Sequence, residues 1–168
     1  VQKFLKGEQK VLLLLGPAGN GKSFFSQVLA ESLWQQYQPG TGVIPLYISL
    51  PTVKNPSQEL LSETFKRMGL SEEEIVNLKS REVVFILDGY DELPHYTQLF
   101  KQNAFHDFKG KIIVTCRTEA LPSSDLFVPI VNGKPKKSLL KEIHLAPFSS
   151  SQMDHFIQKC IDLGNTEW

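Results

Sequence analysis

A glycine-rich turn between an apolar strand and a segment with helical periodicity constrains the fold of this chain more than any other feature. Residues 11–15 read Val-Leu-Leu-Leu-Leu, an apolar run of the length expected for a buried strand. The turn GPAGNGKS occupies residues 16–23 and passes directly into a segment with apolar residues at helical spacing. Strand, turn and helix in this order are typical of the first unit of a parallel α/β sheet.

The pattern GxxxxGKS within this turn indicates a site for the phosphate groups of a nucleotide. Several backbone N–H groups converge in such a loop, and the N-terminus of the following helix adds positive partial charge. The glycines allow the backbone to wrap closely, while the proline and the alanine stiffen and narrow the loop. We expect Lys22 to reach the β- and γ-phosphates and the hydroxyl of Ser23 to ligate Mg²⁺. The residues expected to contact the nucleotide are Gly16, Pro17, Ala18, Gly19, Asn20, Gly21, Lys22, Ser23 and Phe24.

Composition limits the classes of partner. The 168 residues are 41% hydrophobic and 21% charged, so we predict a single nucleotide-binding domain with its own core over residues 1–168. A net charge of zero and a pI of about 7.1 give no electrostatic footprint for nucleic acid or an anionic membrane surface. The apolar run over 11–15 is far shorter than the roughly 20 residues of a membrane helix. These features predict a soluble protein that binds neither nucleic acid nor a membrane.

The cysteines and the chain ends add two expectations. Cys116 and Cys160 are too few for a disulfide framework or a metal cluster, so we expect reduced, buried thiols in the cytoplasm. The chain begins at Val1 without a methionine and ends at Trp168, which favours a fragment of a longer multidomain protein.

Apolar runs of strand length alternate with helical patterns along the chain. This alternation predicts a three-layer α/β/α fold, in which helices cover both faces of a mainly parallel five-stranded sheet. Pro45 places the second strand at an edge of the sheet, because proline cannot donate to a β-ladder. The predicted strands cover residues 11–15, 43–50, 83–87, 112–116 and 142–145, and the predicted helices cover 22–38, 57–67, 71–79, 96–105 and 149–163.

Local signals refine the first helices. Ser71-Glu-Glu-Glu74 is a capping box, which fixes the start of the helix over 71–79. The helix over 22–38 has apolar residues at i, i+3, i+4 and i+8, which predicts one buried face. That face consists of Phe25, Val28, Leu29 and Leu33.

The C-terminal third carries a turn signal and a second amphipathic pattern. Asn132-Gly133 favours a tight hairpin turn. The helix over 149–163 is expected to be capped by Ser149 and to stop at Gly164. Its apolar stripe consists of Met153, Phe156, Ile157, Cys160 and Ile161.

Three carboxylates follow the third predicted strand, at the end of the strand where doubly wound sheets bind ligands. Asp88 comes first and is placed to hold the coordination shell of Mg²⁺. Asp91 and Glu92 lie one short turn later, where a carboxylate can polarise an attacking water molecule. Asp-Gly is also ordinary turn chemistry, and Asp91 or Glu92 is equally suited to capping the next helix.

The fourth predicted strand ends in Thr115, Cys116 and Arg117, and the chain contains only three arginines. An arginine or a threonine hydroxyl at this position is suited to sensing the γ-phosphate and so distinguishing ATP from ADP. The alternative is a surface ion pair between Arg117 and a nearby carboxylate.

Together these segments resemble the NACHT family of signal-transduction NTPases, which belongs to the STAND branch of P-loop ATPases related to AAA+ proteins. The resemblance rests on GPAGNGKS (16–23), VVFILDGYDEL (83–93) and KIIVTCRT (111–118), with weaker matches at IPLYISL (44–50) and LAPFSSSQ (145–152). Its most specific mark is the Walker B shape of the family, an apolar strand followed by Asp-Gly-x-Asp-Glu, which residues 88–92 match in full.

The resemblance implies a role for each of these residues. Asp88 would ligate Mg²⁺, Glu92 would activate water with help from Asp91, and Arg117 would act as a sensor. It also implies a slow Mg²⁺-dependent ATPase that works as a switch in a signalling protein. In such a switch ADP holds a closed form and ATP favours an open, self-associating form.

The chain departs from the family pattern at two points. Cys116-Arg117-Thr118 stands where the family more usually has Ser-Arg-Pro, so the loop after Arg117 is expected to run differently. The helical and winged-helix parts that normally follow would lie beyond Trp168, so the adenine contacts and the ADP lock are expected to be incomplete.

Three alternatives compete with an ATP-driven switch. A small-molecule P-loop phosphotransferase needs an arginine-bearing lid, which three scattered arginines do not supply. A GTP-specific switch would need an Asn-Lys-x-Asp sequence to read guanine, and the sequence contains none. A nucleotide-binding scaffold without turnover is the third alternative, although the presence of Asp88 and Glu92 argues against it.

Overall fold

The computed structural model describes residues 1–93 and 99–164, apart from the side chains of residues 101, 102, 160, 163 and 164. Its strands are β1 (Val11–Gly16), β2 (Ile44–Ser49), β3 (Glu82–Asp88), β4 (Lys109–Arg117), β5 (Ile130–Val131), β6 (Lys134–Pro135) and β7 (Leu140–His144). Its helices are α1 (Gln2–Lys6), α2 (Lys22–Gln35), α3 (Leu60–Arg67), α4 (Glu72–Ser80), α5 (Leu99–Gln102) and α6 (Ser150–Gly164).

Five strands form one parallel sheet in the order β2-β3-β4-β1-β7. The five predicted strands are confirmed, with ends that differ by no more than three residues. As predicted, β2 lies at an edge of the sheet, the position at which proline is tolerated in a strand. β1 lies between β4 and β7 and is buried along its whole length, so the glycine-rich turn starts from the interior of the sheet.

Helices cover both faces of the sheet, which confirms the three-layer α/β/α fold. On one face Leu12, Ile86 and Ile113 pack with residues of α1 and α2. On the other face Leu13, Phe85 and Val114 pack with residues of α3, α4 and α5. Alternate side chains of each strand point to opposite faces, so β1, β3 and β4 contribute to both cores.

The predicted buried face of α2 is only partly correct. Phe25, Leu29 and Leu33 are half-buried, but Val28 is 45% exposed, and the fully buried positions are Ser26 and Ala30. The face of α2 that meets the sheet centres on these two small side chains, with Leu29 and Leu33 packed beside them, and Val28 lies two residues from each of the small ones. Two residues rotate roughly 200° around a helix, which turns Val28 to the outside. The helix also ends at Gln35 rather than residue 38, and turns follow between Trp34 and Gly42.

The helices after β2 differ from prediction at their ends. α3 begins at Leu60 rather than residue 57, and Oδ1 of the buried Asn103 accepts a hydrogen bond from Leu60 N. The capping box of α4 is confirmed, because Ser71 and Glu74 exchange side-chain to backbone hydrogen bonds.

The predicted helix over 96–105 is too long. Residues 96–98 lie outside the described residues, and of the remainder only Leu99–Gln102 is α-helical. Ala104 has φ +49°, a left-handed conformation that ends the helix, and a 3₁₀ turn begins at Phe105.

The C-terminal third contains the predicted hairpin and the predicted helix. Asn132 and Gly133 both have positive φ and join β5 to β6 in a tight turn. Ser149 caps α6, because its hydroxyl accepts a hydrogen bond from Gln152 N at 3.3 Å. The apolar stripe of α6 is exposed where it is described, and Cys160 and the stop after Gly164 lie outside the described side chains and residues.

Two further findings concern the cysteines and membrane insertion. Cys116 is buried and free, and burial raises the pKa of its thiol to about 12, with the negative charge of Asp91 adding to the shift. The thiol is therefore protonated and unreactive at neutral pH.

Among the described residues, no helix has the length and apolar character needed to cross a bilayer.

Candidate functional site

An open cleft of about 290 Å³ lies where the carboxyl ends of β1, β3 and β4 meet. The cleft has three walls, which are formed by the turn after β1, the turn after β3 and the end of β4. Sheets of this type bind ligands at this end of the strands. The lining residues are Ala18, Gly19, Gly21, Lys22, Ser23, Phe24, Gly89, Asp91, Glu92, Thr115 and Arg117.

The glycine-rich loop has the open backbone that its sequence predicts. Gly19 and Gly21 both have φ +77°, and no atom lies within 4 Å of a Cβ built on either of them. Glycine is therefore required for conformation rather than for space at these two positions. Gly16 lies in a tight space instead, since a Cβ there would lie 3.3 Å from Cβ of Leu145.

Backbone carbonyl groups of the loop hold the side chain of Lys22 in place. Its Nζ donates to the carbonyl oxygens of Gly16 at 2.7 Å and Pro17 at 2.9 Å. An ammonium group has three donors, so one remains for a ligand in the cleft.

The predicted nucleotide contacts fall into two groups. Six of them line the cleft, including the exposed Ser23 and Phe24, whereas Gly16, Pro17 and Asn20 do not. Asn20 supports the loop from behind, because its Nδ2 donates to the carbonyl oxygen of Leu145 at 3.2 Å. This contact links the loop to the segment that leads from β7 to α6.

Asp88 lies behind the cleft rather than in its lining. It ends β3, is only 6% exposed, and accepts a hydrogen bond on each carboxylate oxygen. Thr115 Oγ1 donates to Oδ1 at 2.6 Å and Tyr47 Oη donates to Oδ2 at 3.1 Å. Thr115 Oγ1 in turn accepts from Gly89 N at 2.9 Å. The single proton of the Thr115 hydroxyl is therefore used on Asp88, which leaves Arg117 as the candidate phosphate sensor of the two.

Asp91 and Arg117 form a two-point ion pair at the rim of the cleft. Asp91 Oδ2 accepts from Arg117 Nε at 2.8 Å, and Oδ1 accepts from the backbone N of Arg117 at 2.9 Å. The Asp91 side chain is 6% exposed and that of Arg117 is 46% exposed. Among the described residues, the hydrogen bonds of the Arg117 side chain use Nε alone, so both terminal amino groups stay available. The surface ion pair that the sequence left open as an alternative is thus present, although it lies within the candidate site.

Glu92 is the exposed carboxylate of the cleft. It lies in the 3₁₀ turn Tyr90–Glu92, which starts from Gly89 at φ +84°. The structure thus separates the two acids that the sequence treated together, because Asp91 is paired with Arg117 whereas Glu92 lines the open cleft.

Comparison with protein families identifies the chain. The NACHT domain family matches over residues 10–162, which is nearly all of the sequence. The chain belongs to the NACHT domain family. This NACHT domain is a nucleotide-binding domain of the P-loop NTPase class, in agreement with the resemblance carried by its motifs. A comparison with curated proteins found no match.

The fold of this NACHT domain is also found among solved structures. The structure of C. elegans PCH-2 superposes with a TM-score of 0.53 at 17% sequence identity. The match covers 92% of this chain and 41% of PCH-2, so the chain spans less than half the length of that protein. At this identity the likeness concerns the fold alone.

Two of the predicted site residues offer oxygen atoms of the kind that a hard divalent cation binds. The hydroxyl of Ser23 and the carboxylate of Asp88 are ligands that Mg²⁺ prefers. The described residues contain no group of three or more His, Cys, Asp or Glu side chains arranged to hold a metal ion.

One residue of the site was missed by sequence reasoning. Tyr47 contacts Asp88 from the edge strand β2, yet its sequence context is an ordinary apolar strand. The only local signal was a hydroxyl-bearing ring among aliphatic residues, three positions before the predicted end of that strand.

Proposed function

We propose that this NACHT domain binds ATP and ADP with Mg²⁺ and hydrolyses ATP slowly, as the switch of a signalling protein. The observation that supports the proposal is the convergence of Lys22, Glu92 and Arg117 on one cleft, with Asp88 directly behind it. Phosphoryl transfer to water requires three kinds of group: a cation for the phosphates, a carboxylate for the water and a second cation for the γ-phosphate.

Each residue has one task in the proposed reaction. Lys22 and the backbone N–H groups of the loop bind the β- and γ-phosphates. Ser23 and Asp88 would hold Mg²⁺, which neutralises charge on the phosphate oxygens when it is bound. Glu92 accepts hydrogen bonds from the attacking water and orients it toward the γ-phosphorus.

The geometry of Asp91 supports a division of work between the two acids. Both oxygens of Asp91 accept hydrogen bonds from Arg117, so Asp91 orients the sensor rather than the water. Arg117 then offers its terminal amino groups to the γ-phosphate, which is present in ATP and absent in ADP. This contact gives the domain a means of distinguishing the two nucleotides.

The switch itself is proposed from family membership. We propose that exchange of ADP for ATP changes the contacts around Arg117 and favours self-association of the longer protein. The phosphate-dependent contact supplies the difference in binding free energy that any such shift requires.

Replacing Glu92 with glutamine tests the hydrolysis directly. The variant keeps the size of the side chain but removes its negative charge, so we expect turnover of ATP to fall by roughly a hundredfold or more. Binding of ATP should stay within about twofold, because Glu92 does not contact the phosphates in the proposed arrangement. Phosphate release measures the first quantity and calorimetric titration the second.

The control for this variant is Glu73→Gln on the exposed first turn of α4. Equal turnover in Glu92→Gln and the wild-type chain would assign the water to another residue. Transfer of the phosphoryl group to a metabolite instead of water would replace the ATPase with a phosphotransferase. Binding without any turnover in the wild-type chain would leave the nucleotide-binding scaffold.

Replacing Arg117 with alanine tests the sensor. We expect the preference for ATP over ADP to fall by roughly tenfold, because one charge-assisted contact to the γ-phosphate is lost. Affinity for ADP should change little. Competition titrations with both nucleotides measure the ratio, and Arg67→Ala at the exposed C-terminal end of α3 is the matched control. An unchanged ratio would make Arg117 a structural partner of Asp91.

A further inference from the structure

Asp88 is the final acceptor of a small network of hydrogen bonds. Gly89 N donates to Thr115, Thr115 donates to Asp88 Oδ1, and Tyr47 donates to Asp88 Oδ2. Strand β3, which ends in Asp88, lies between β2 and β4. Tyr47 on β2 and Thr115 on β4 therefore donate to the carboxylate from its two sides. A carboxylate accepting one bond on each oxygen has its plane fixed, which a single bond would not achieve.

Tyr47 is placed to donate rather than accept. A carboxylate oxygen accepts hydrogen bonds, so the hydroxyl of Tyr47 is the donor to Asp88. The ring of Tyr47 packs with residues of α2, the helix that begins with Lys22 and Ser23, so Tyr47 lies between that helix and the end of β3.

The two anchors of Asp88 differ in how they can be tested. Thr115 is 1% exposed and also satisfies Gly89 N, so its removal would leave a buried donor without a partner. Tyr47 is half-buried on the edge strand, and its ring packs with the residues under α1 and α2. Replacement by phenylalanine deletes only the hydroxyl and keeps the packing.

We infer that Tyr47 is a positioning residue for the metal site, which holds the carboxylate of Asp88 in the orientation needed to bind Mg²⁺ with a nucleotide. The inference rests on the proposed function, because it assigns Asp88 to Mg²⁺. Residues that hydrogen bond to a metal ligand commonly change metal affinity when they are removed, since the ligand then samples unproductive orientations. The alternative is that Tyr47 only fills the space between β2 and α2.

The test is a titration of Mg²⁺ against the unfolding temperature of the chain in saturating ADP, with free Mg²⁺ set by a chelator buffer. In Tyr47→Phe we expect the Mg²⁺ concentration for half of the stabilisation to rise roughly tenfold. The unfolding temperature without ligand, and the ADP affinity measured in excess chelator, should match those of the wild-type chain. Tyr37→Phe is the matched control, since Tyr37 contacts Trp34 and Arg81 away from the cleft.

The outcomes separate the inference from the proposed function. If the wild-type chain shows no Mg²⁺-dependent stabilisation in ADP, the proposed metal site itself is wrong. If the wild-type chain shows it and Tyr47→Phe has the same Mg²⁺ midpoint, the inference about Tyr47 is overturned. If Tyr47→Phe loses ADP affinity equally with and without Mg²⁺, Tyr47 acts on the nucleotide or the fold and the inference is again overturned.

Discussion

Replacing Lys22 with alanine is expected to weaken the binding of Mg–ATP by roughly a hundredfold, because charge-assisted hydrogen bonds contribute about 1.5–3 kcal/mol each. The side chain of Lys22 already lies beside the loop, because its ammonium group donates to the carbonyl oxygens of Gly16 and Pro17. A phosphate in the cleft therefore meets an ammonium group that needs little rearrangement. The loss should appear in the anisotropy of a fluorescent ATP analogue as a shifted titration midpoint.

The control for Lys22 is a lysine with the same charge and no part in the cleft. Lys134 lies exposed on the β5–β6 hairpin, and Lys134→Ala should leave the titration unchanged. The unfolding temperature of Lys22→Ala without ligand checks its fold, since the substitution removes a donor from the carbonyl oxygens of Gly16 and Pro17. Affinity within about twofold of the wild-type value would show that the glycine-rich turn is not the phosphate site.

Replacing Gly110 with alanine is expected to destabilise the chain by roughly 4 kcal/mol, because the new side chain meets both backbone strain and a clash. Gly110 lies in β4 opposite Val83 of β3 and has φ +138°. A Cβ at this position would lie 1.8 Å from the carbonyl oxygen of Val83, a backbone atom that cannot move without separating the strands. Such a loss approaches the whole stability of a typical domain, and urea denaturation measures it.

A second glycine has a positive φ without a clash. Gly40 has φ +86° but no atom within 4 Å of a built Cβ, so Gly40→Ala should cost only about 1–2 kcal/mol. The difference between the two variants combines the cost of the contact with Val83 and the greater backbone strain at φ +138°. Equal losses at both positions would contradict the close pairing of β3 and β4 at Gly110.

Local pattern was sufficient to predict the sheet and the phosphate loop. Strands β1, β3 and β4 each contain an apolar run, and burial on both faces of a parallel sheet requires that pattern, whereas the edge strand β7 reads Leu-Lys-Glu-Ile-His and is only partly buried. The loop is a contiguous motif whose conformation depends on its own glycines. Pro45 at the edge and the capping box of α4 are likewise decided by residues that are neighbours in sequence.

The remainder depended on residues far apart in the chain. The contact between Tyr47 and Asp88 spans 41 positions, and that between Asp91 and Arg117 spans 26. Neither has a local periodicity, so their pairing follows only from strand order. The exposure of Val28 was missed for a related reason, because the face of α2 that meets the sheet centres on the small side chains of Ser26 and Ala30, with Leu29 and Leu33 beside them. Helix α1 is only five residues long, too short to give a pattern.

Thermal unfolding of the wild-type chain with Mg–ATP, Mg–ADP, Mg–GTP and Mg²⁺ alone tests the central claim most directly. A ligand at a hundred times its Kd stabilises the native state by about 2.7 kcal/mol, which corresponds to a rise of roughly 5–10 °C for a chain of this size. We predict a rise of this order with both adenine nucleotides and little change with Mg²⁺ alone or Mg–GTP. An unfolding temperature that no nucleotide raises would contradict the assignment of the cleft as an adenine-nucleotide site.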